Sequence, residues 1–248
     1  MGSCGTPPPV RLAILETDTP VPSILARYGG YGYVFKHLFN RASITPQLEV
    51  TSYDVVSDNA SYPDPKDIDA ILITGSKASA FEDKVWINRL VQYTKDLLNG
   101  DDVKKVIGIC FGHQIVGRAL DAEVAPNPGG WEVSVVNVEL TDKGKEVFGL
   151  QTMRIHQMHR DAVLAIPAGV ENLAQTSLCS TQAFYKPGRL ITVQGHPEFT
   201  DDMVSDILKI RRDGDIISQE LFASGERRVK DKHDGVEIAK VFMRFLRE

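Results

Sequence analysis

The feature that most limits the folds open to this chain is a short apolar run that leads into a Gly-x-Cys-x-Gly turn and then into a helix. The run covers residues 105–109, the turn is centred on Cys110, and the helical pattern covers residues 112–120. A turn this sharp leaves no room for Cβ atoms beside its central residue, so glycine is needed sterically at positions 108 and 112. The turn also directs the central side chain outward at the top of the sheet. The pattern therefore predicts an α/β fold with the Cys110 thiol at the sheet edge.

Short β-branched runs alternate with amphipathic stretches through the first half of the chain, and this alternation predicts a three-layer α/β fold. Its centre is a mostly parallel open sheet of the flavodoxin type, with helices on both faces. After residue 130 the apolar runs follow one another without helical patterns between them, which indicates a small antiparallel extension of the sheet. The predicted strands are residues 10–15, 50–56, 70–74, 105–109, 133–140, 153–158, 170–176, 182–185 and 189–194. The predicted helices are residues 33–42, 84–98, 112–120, 201–210, 215–223 and 236–246.

The length of the chain and the absence of a repeat or a long linker predict one domain over residues 1–248. We expect residues 1–9 to be disordered and residues 200–248 to contain the C-terminal helices. The first residues match the loose pattern M-G-x-x-x-[ST], which would allow acylation of Gly2 and Cys4. A disordered start is the favoured interpretation, because patterns this short recur by chance.

The charge and the cysteine content exclude several classes of function. A net charge of -5 and a pI near 5.7 give no general basic field, and the densest basic run, residues 227–232, is interrupted by acid. We therefore expect no nucleic-acid partner. No apolar run approaches the roughly 20 residues that span a bilayer, so we expect no membrane partner. The three cysteines form no C-x-x-C pair and no metal-ligand spacing, which favours a cytoplasmic protein without a bound metal.

A histidine and a glutamate near the end of the sheet are candidates for partners of the thiol. Glu198 follows His196 by two positions, and in extended backbone such side chains emerge on the same face. Pro197 biases His196 toward extended backbone. The strand at residues 189–194 can bring this segment to the carboxyl edge of the sheet, beside the cysteine. The sequence therefore predicts a triad of Cys110, His196 and Glu198, in which the carboxylate orients the imidazole that takes the thiol proton.

Backbone N–H groups near the sulfur are candidates for an oxyanion hole. The amide of Phe111 lies in the turn and can donate to the oxyanion that forms when a carbonyl group is attacked. A second donor is expected from Gly75, directly after the strand at residues 70–74, because glycine lets the backbone approach a substrate closely. The alternative for Cys110 is a small buried hydrophobe, the usual role of a free cysteine. The glycines around it favour the nucleophile.

Three motifs together resemble the class I glutamine amidotransferases, and in particular the compact group similar to the glutaminase unit of GMP synthetase. They are Thr74-Gly75-Ser76, the segment from Gly108 to Gln114, and Gly195-His196-Pro197-Glu198. The resemblance covers residues 68–199 by motif and residues 11–67 by strand order. It implies the open α/β sheet of that family. It also implies that Cys110 attacks the side-chain amide of glutamine, releases ammonia and holds a γ-glutamyl thioester that water clears.

The resemblance also suggests residues that bind the glutamyl group, and here the chain departs from the family. Where the family has Ser-His-Gly-Asp, this chain has Met158 and Arg160 in place of the serine and the glycine, which alters the edge of the glutamyl site. Gly195 stands where the family often carries an aromatic residue, and we expect a wider pocket there. For His159 a hydrogen-bonded structural role is at least as well supported as substrate contact. Trp131 is also open to a packing role. The candidate substrate-binding residues are Ser76, Gln114, Trp131 and His159.

Three functions remain open at this stage. The first is a glutaminase-type amidotransferase that delivers ammonia to a separate synthetase subunit, because nothing in the chain resembles a nucleotide-binding P-loop. The second is a γ-glutamyl peptidase that cleaves γ-glutamyl peptides or glutathione conjugates by the same thioester chemistry. The third is a non-catalytic binding protein whose cysteine senses oxidation. The H-P-E element argues against the third, since a sensor thiol needs no carboxylate behind a base. None of these functions requires a cofactor.

Overall fold

A computed structural model describes residues 8–42, 47–100 and 104–248. The N-terminal acylation pattern lies outside the described residues, and so do residues 1–7 of the segment that we expected to be disordered. Pro8 and Pro9 lie outside any helix or strand and are exposed. No helix in the described part of the chain is long and apolar enough to cross a lipid bilayer.

The described residues form a nine-stranded sheet in the order β2-β1-β3-β4-β11-β10-β9-β6-β7. The first five strands in this order are parallel to one another, which confirms the predicted parallel α/β sheet. Their carboxyl ends share one edge of the sheet, where active sites of open α/β folds lie. The parallel strands are β1 (Val10–Glu16), β2 (Leu48–Asp54), β3 (Ala70–Ile73), β4 (Lys105–Ile109) and β11 (Leu190–Val193).

The other four strands continue the sheet with antiparallel pairing, and the extension reaches almost half of its width. The pairing begins between β11 and β10, so the strand that precedes His196 joins the parallel and antiparallel halves. A short antiparallel pair, β5 with β8, lies apart from the main sheet. These strands are β5 (Val124–Pro126), β6 (Glu132–Leu140), β7 (Thr152–His159), β8 (Asp161–Val163), β9 (Glu171–Gln175) and β10 (Ala183–Lys186).

Helices cover both faces of the parallel half. Alternate residues of β1 show this directly, because Leu12 and Ile14 pack into one core cluster while Ala13 and Leu15 pack into another. A strand that is buried on both faces explains why the sequence reads as an uninterrupted apolar run. The helices are α1 (Pro22–Tyr28), α2 (Tyr31–Ala42), α3 (Val85–Asn99), α4 (Phe111–Ala119), α5 (Asp142–Phe148), α6 (Asp201–Asp213), α7 (Gln219–Arg228) and α8 (Gly235–Phe245).

The expectation that no helix interrupts the later strands is wrong, because α5 connects β6 and β7. Its first turn is capped by Thr141, whose hydroxyl oxygen accepts a hydrogen bond from the Gly144 amide at 3.0 Å. Its last turn ends at Gly149, which has a left-handed backbone with φ 69°. Short helices of this kind depend on their caps and on packing, and their apolar pattern is too brief to recognise. The helix α1 was missed for the same reason.

The last helix packs against the segment that carries His196. A Cβ atom on Gly235, the first residue of α8, would overlap the carbonyl oxygen of Pro197. The preceding residue, Asp234, is fixed to β7, because its carboxylate accepts a hydrogen bond from the Arg154 amide at 2.7 Å and its own amide donates to the Arg154 carbonyl oxygen at 2.7 Å. The C-terminal helix therefore supports the loop after β11.

Candidate active site

The turn after β4 has the strained geometry that the two glycines predicted. Cys110 has φ 51° and ψ -102°, a left-handed backbone that non-glycine residues rarely adopt, and it precedes the first turn of α4. A Cβ atom on Gly108 would lie 2.7 Å from the Gly112 carbonyl oxygen. A Cβ atom on Gly112 would overlap the carbonyl oxygen of Ile73. Neither glycine can be replaced without moving the backbone that holds Cys110.

The loop after β3 brings Gly75 against the cysteine and the histidine. A Cβ atom on Gly75 would lie 2.7 Å from Cε1 of His196 and 3.7 Å from Cβ of Cys110. The loop is fixed by Thr17, whose hydroxyl donates to the Gly75 carbonyl oxygen at 2.9 Å. Its preceding carbonyl, that of Thr74, accepts a hydrogen bond from the Gly112 amide at 3.2 Å. The segments that follow β1, β3 and β4 thus meet beside Gly75.

The imidazole of His196 is held on two sides. Its Nδ1 is 2.8 Å from Oε1 of Glu198, and its ring stacks on Phe199 with 4.0 Å between the centroids and 2° between the planes. The His196 amide donates to the carbonyl oxygen of His156 at 2.7 Å. Like Cys110, both His196 and Glu198 are 5% exposed. The ring therefore has one fixed orientation at the edge of the sheet.

The charge of this histidine follows from its neighbours. Burial acts to lower the pKa of His196, but the negative charges of Cys110 and Glu198, together with hydrogen bonds to both side chains, raise that pKa to about 10. At neutral pH the ring is therefore an imidazolium. The surroundings of His196 therefore favour its protonated form.

Two cavities open beside the sulfur and the imidazole. One has a volume of about 200 Å³ and borders Cys110, Gln114 and His159. The other has a volume of about 360 Å³ and borders His196 and Gly75. The wall of the larger cavity is mostly apolar and includes Pro20, Val21, Pro22, Phe199 and Ile207. The residues that border both cavities are Ser76, Lys77, Met158 and Arg211.

The structure places Gln114 and Ser76 at the walls of these cavities. The side-chain amide nitrogen of Gln114 donates to the Asp161 carbonyl oxygen at 2.7 Å and to Oε1 of Gln194 at 3.1 Å. Gln114 is 3% exposed, so its side chain has a fixed position. The hydroxyl oxygen of Ser76 accepts a hydrogen bond from the Ala78 amide at 3.1 Å, which shapes the loop between the cavities.

His159 and Trp131 also border the smaller cavity, each with a structural partner. Nδ1 of His159 is 3.1 Å from the Asp161 carbonyl oxygen, and Nε2 is 3.1 Å from Oε2 of Glu132. Both ring nitrogens are thus engaged within the protein, which supports the structural interpretation of this histidine. Trp131 lies under the guanidinium of Arg211, with 4.9 Å from Cζ to the ring centroid.

The expectation about pocket shape has a clear outcome. The expected widening at Gly195 is wrong, because a Cβ atom there would lie 2.9 Å from Ile155 and 3.0 Å from the His156 carbonyl oxygen. Strand β7 fills that space, and Gly195 borders neither cavity.

Cys179 is buried at 3% exposure, and burial raises the pKa of its thiol. In the described part of the chain, no cluster of three His, Cys, Asp or Glu side chains is placed to hold a metal ion.

Arg211 is the residue at this site that the sequence did not reveal. It lies in the last turn of α6, within the charged run at residues 209–213, which is typical of a solvated helix face. The structure instead turns its side chain toward both cavities. The sequence held only a weak indication that one of these arginines faces the protein. Adjacent residues on a helix point in different directions, so Arg211 and Arg212 cannot both lie on the solvated face.

The sheet, its cysteine-bearing turn and the loop that follows β11 have the fold of the class I glutamine amidotransferases. A sequence model described as glutamine amidotransferase class-I matches residues 30–206. The chain belongs to this family, and the resemblance seen in its motifs is confirmed. Arg211 and residues 18–22 of the larger cavity lie outside the matched stretch.

Relatives and solved structures support the same assignment. The chain is 38% identical over 245 residues to a putative glutamine amidotransferase-like protein of Schizosaccharomyces pombe, covering 96% of this chain and 99% of that protein. It is 32% identical over 217 residues to gamma-glutamyl peptidase 4 of Arabidopsis thaliana, covering 84% of this chain and 82% of that protein. A glutamine amidotransferase structure from Thermotoga maritima aligns with a TM-score of 0.73 at 17% identity, covering 96% and 99% of the two chains. The structure of a putative GMP synthase component from Thermoplasma acidophilum aligns with a TM-score of 0.61 at 14% identity, covering 97% and 95%.

Proposed function

We propose that the protein hydrolyses γ-glutamyl amide bonds through a thioester on Cys110, with His196 and Glu198 as the other members of a catalytic triad. The observation that carries the proposal is the convergence at Gly75, where the missing side chain leaves room for the imidazole of His196 and where Cys110 lies within van der Waals reach. The hydrogen bond of 2.8 Å from His196 to Glu198 supports the role of the carboxylate as the group that orients the ring.

In the first half of the reaction the sulfur attacks the γ-carbonyl carbon, and the carbonyl oxygen becomes an oxyanion. The amides of Gly75 and Phe111 donate to that oxyanion, because both belong to the strand ends that flank the sulfur. When the tetrahedral intermediate collapses, the C–N bond breaks and the imidazolium of His196 gives its proton to the leaving nitrogen. The products of this half are a γ-glutamyl thioester and a free amine or ammonia.

In the second half a water molecule attacks the thioester carbon, and the neutral His196 takes the proton of that water. The C–O bond forms, the C–S bond breaks, and glutamate leaves the thiolate and the imidazolium as they were at the start. Gln114 borders the smaller cavity and Ser76 borders both cavities, and we assign these two side chains to the contact with the substrate.

The first candidate substrate is glutamine, with ammonia passed to a separate synthetase subunit. Family membership and the fold shared with a putative GMP synthase component support this candidate. A γ-glutamyl peptide or glutathione conjugate is the second candidate, and one feature of the site favours it. Since His196 protonates the leaving nitrogen, the leaving group lies on the His196 side, where the cavity of about 360 Å³ has mostly apolar walls. Ammonia is about the size of a water molecule, and a cavity of only about 10 to 15 Å³ holds one water molecule.

A substrate panel tests the proposal. Purified protein is given glutamine, γ-glutamyl dipeptides and glutathione conjugates, and released ammonia is measured against released amine. Cys110→Ala should abolish turnover of every substrate, because Cys110 supplies the thiol that borders the smaller cavity. A preference for glutamine above about tenfold in kcat/KM, or about 1.4 kcal/mol, selects the amidotransferase function. Hydrolysis by Cys110→Ala at the rate of the unmodified protein would overturn the nucleophile assignment.

A further inference from the structure

We propose that Arg211 binds the α-carboxylate of the glutamyl group and thereby selects acyl groups that carry this carboxylate. The inference rests on the proposed γ-glutamyl hydrolysis and names a specificity residue for it. Arg211 lies outside residues 30–206, which the family's sequence model matches, so the proposal concerns a residue beyond that stretch.

The position of Arg211 is fixed by its own packing. Its guanidinium carbon lies 4.9 Å from the centroid of the Trp131 ring, and both residues border the cavity that opens on Cys110. A guanidinium stacked on an aromatic face keeps its edge free for hydrogen bonds in the plane of the group. The stacking partner therefore leaves the donors of Arg211 available to a ligand in the smaller cavity.

Arg211 differs from the other cationic side chains at the cavities in having no carboxylate partner. Lys77 is paired with Asp18 at 2.8 Å, and Arg160 is paired with Asp161 at 3.1 Å. In the parts of the chain that the structure describes, no carboxylate lies within ion-pair distance of Arg211, and its buried Nε donates to no partner. A buried donor without an acceptor is unfavourable, and a carboxylate satisfies the guanidinium edge with two parallel hydrogen bonds. The site therefore lacks an anion that a substrate can supply.

The electrostatic surroundings connect Arg211 to the reacting sulfur. Burial lowers the pKa of Arg211, and the nearby acidic groups Cys110, Tyr31, Asp18 and Asp161 act in the opposite direction in their ionised forms. The guanidinium remains charged at neutral pH. A ligand carboxylate in the smaller cavity meets this positive charge, while the carbonyl carbon of the same ligand meets the sulfur.

The α-carboxylate fits this position better than a carboxylate of the leaving group. The smaller cavity borders Cys110 and Gln114, so the acyl part of the substrate occupies it. The leaving amine lies in the larger, apolar cavity on the His196 side. Glutamine and γ-glutamyl peptides share the acyl part, so the contact with Arg211 is the same whichever of them is cleaved.

The test compares substrates that differ by one charged group. γ-Glutamyl-p-nitroanilide carries the α-carboxylate and the α-amine, 4-aminobutyryl-p-nitroanilide lacks the carboxylate, and glutaryl-p-nitroanilide lacks the amine. In Arg211→Met, which keeps the apolar contact with Trp131, we expect kcat/KM to fall at least about 30-fold for the γ-glutamyl and glutaryl compounds, mostly through KM. For the 4-aminobutyryl compound we expect a change below about threefold. An equal loss on all three substrates would overturn the assignment.

The neighbouring arginine provides a matched control. Arg212 also stacks on an aromatic ring, with 4.2 Å from Cζ to the Phe222 centroid, but it pairs with Asp213 and borders neither cavity. Arg212→Met should leave the three kcat/KM values within about twofold of the unmodified protein. Arg211→Lys should restore only part of the loss, because an ammonium lacks the planar pair of donors. Full rescue by lysine, or an equal loss in Arg212→Met, would contradict a bidentate contact.

A binding measurement separates this inference from the proposed hydrolysis. In a Cys110→Ala background, calorimetric titration with glutamine and with 4-aminobutanamide reads recognition without turnover. We expect glutamine to bind, and Arg211→Met to weaken that binding at least about tenfold while leaving the affinity for 4-aminobutanamide unchanged. Equal weakening for both ligands, or no binding of glutamine, would overturn the role of Arg211. Absence of turnover on every γ-glutamyl compound, with this binding pattern intact, would overturn the hydrolysis alone.

Discussion

Replacing Gly75 with alanine tests whether the position of the imidazole controls turnover. The new Cβ atom would lie 2.7 Å from Cε1 of His196, where ordinary van der Waals contact begins at 3.4 Å. The ring has little freedom to retreat, because Glu198 holds Nδ1 at 2.8 Å and Phe199 stacks on one face at 4.0 Å. The methyl group must therefore displace the ring, the loop after β3 or both.

The size of the effect follows from that overlap. Restoring ordinary contact requires a separation about 0.7 Å greater than the structure allows. A misplacement of about 1 Å costs about 100-fold in rate, so we expect kcat/KM to fall roughly 20- to 100-fold, or about 2 to 3 kcal/mol. Overpacking typically costs about 1 to 3 kcal/mol of stability, which is less than the roughly 5 to 15 kcal/mol by which native proteins are stable, so the variant stays folded at 25 °C.

The assay measures hydrolysis of γ-glutamyl-p-nitroanilide and glutamine, with circular dichroism and urea unfolding as tests of the fold. Gly214→Ala is the matched control, because its backbone has φ -93° and a Cβ atom there would meet nothing nearer than 3.3 Å. That variant should keep its activity. If folded Gly75→Ala stays within about threefold of the unmodified protein, the imidazole is not positioned by this contact and the reasoning fails.

Three further outcomes are expected. Gly112→Ala should lower the free energy of unfolding by about 3 kcal/mol or more in urea titrations, because its methyl group overlaps the rigid backbone of Ile73; a loss below about 1 kcal/mol would contradict the steric argument. Glu198→Gln removes a negative charge that raises the pKa of His196, so the pKa of His196 should fall. The alkaline limit of the kcat/KM profile should then move to lower pH. An unmoved limit would argue against the contact between the two side chains. Burial lowers the pKa of His113 to about 3 from the ordinary 6.5, so its contribution to stability is complete above pH 6.5 and is lost as the pH falls toward 3. His113→Leu should therefore reduce the slope of unfolding free energy against pH below 6.5 by about 1.4 kcal/mol per pH unit, and equal slopes would refute the assignment.

The sequence was sufficient for the cysteine-bearing turn because its constraints are local. The steric demand on Gly108 and Gly112 is set within one strand, one turn and one helix, and the structure shows the overlap that any side chain would cause. The spacing of His196 and Glu198 is local in the same sense, and their side chains do meet at 2.8 Å. The parallel direction of β1, β3 and β4 followed from the alternation of strands and helices, whereas the order of the strands in the sheet did not.

Features that depend on distant parts of the chain were not predicted. The side-chain space beside Gly195 is filled by Ile155 from β7, and no local pattern reports that packing. The helix α5 contains Gly144, a poor helix former whose missing Cβ makes room for the Leu173 carbonyl oxygen. Arg211 has the composition of a solvated helix position, and its burial against Trp131 exists only after α6 docks on the sheet.

The contact between Gly235 and the Pro197 carbonyl bears on the length of chain that the proposed reaction requires. The α8 segment lies beyond residues 30–206, yet it abuts the loop on which the imidazole stands. A fragment limited to residues 30–206 would lack this helix. We expect Pro197 then to be exposed to water and the His196 ring to lose its fixed position, although the fragment would still contain every proposed reacting group. We therefore expect the smallest fragment that turns over substrate to extend beyond residues 30–206 and to include α8, which supports the loop that carries His196.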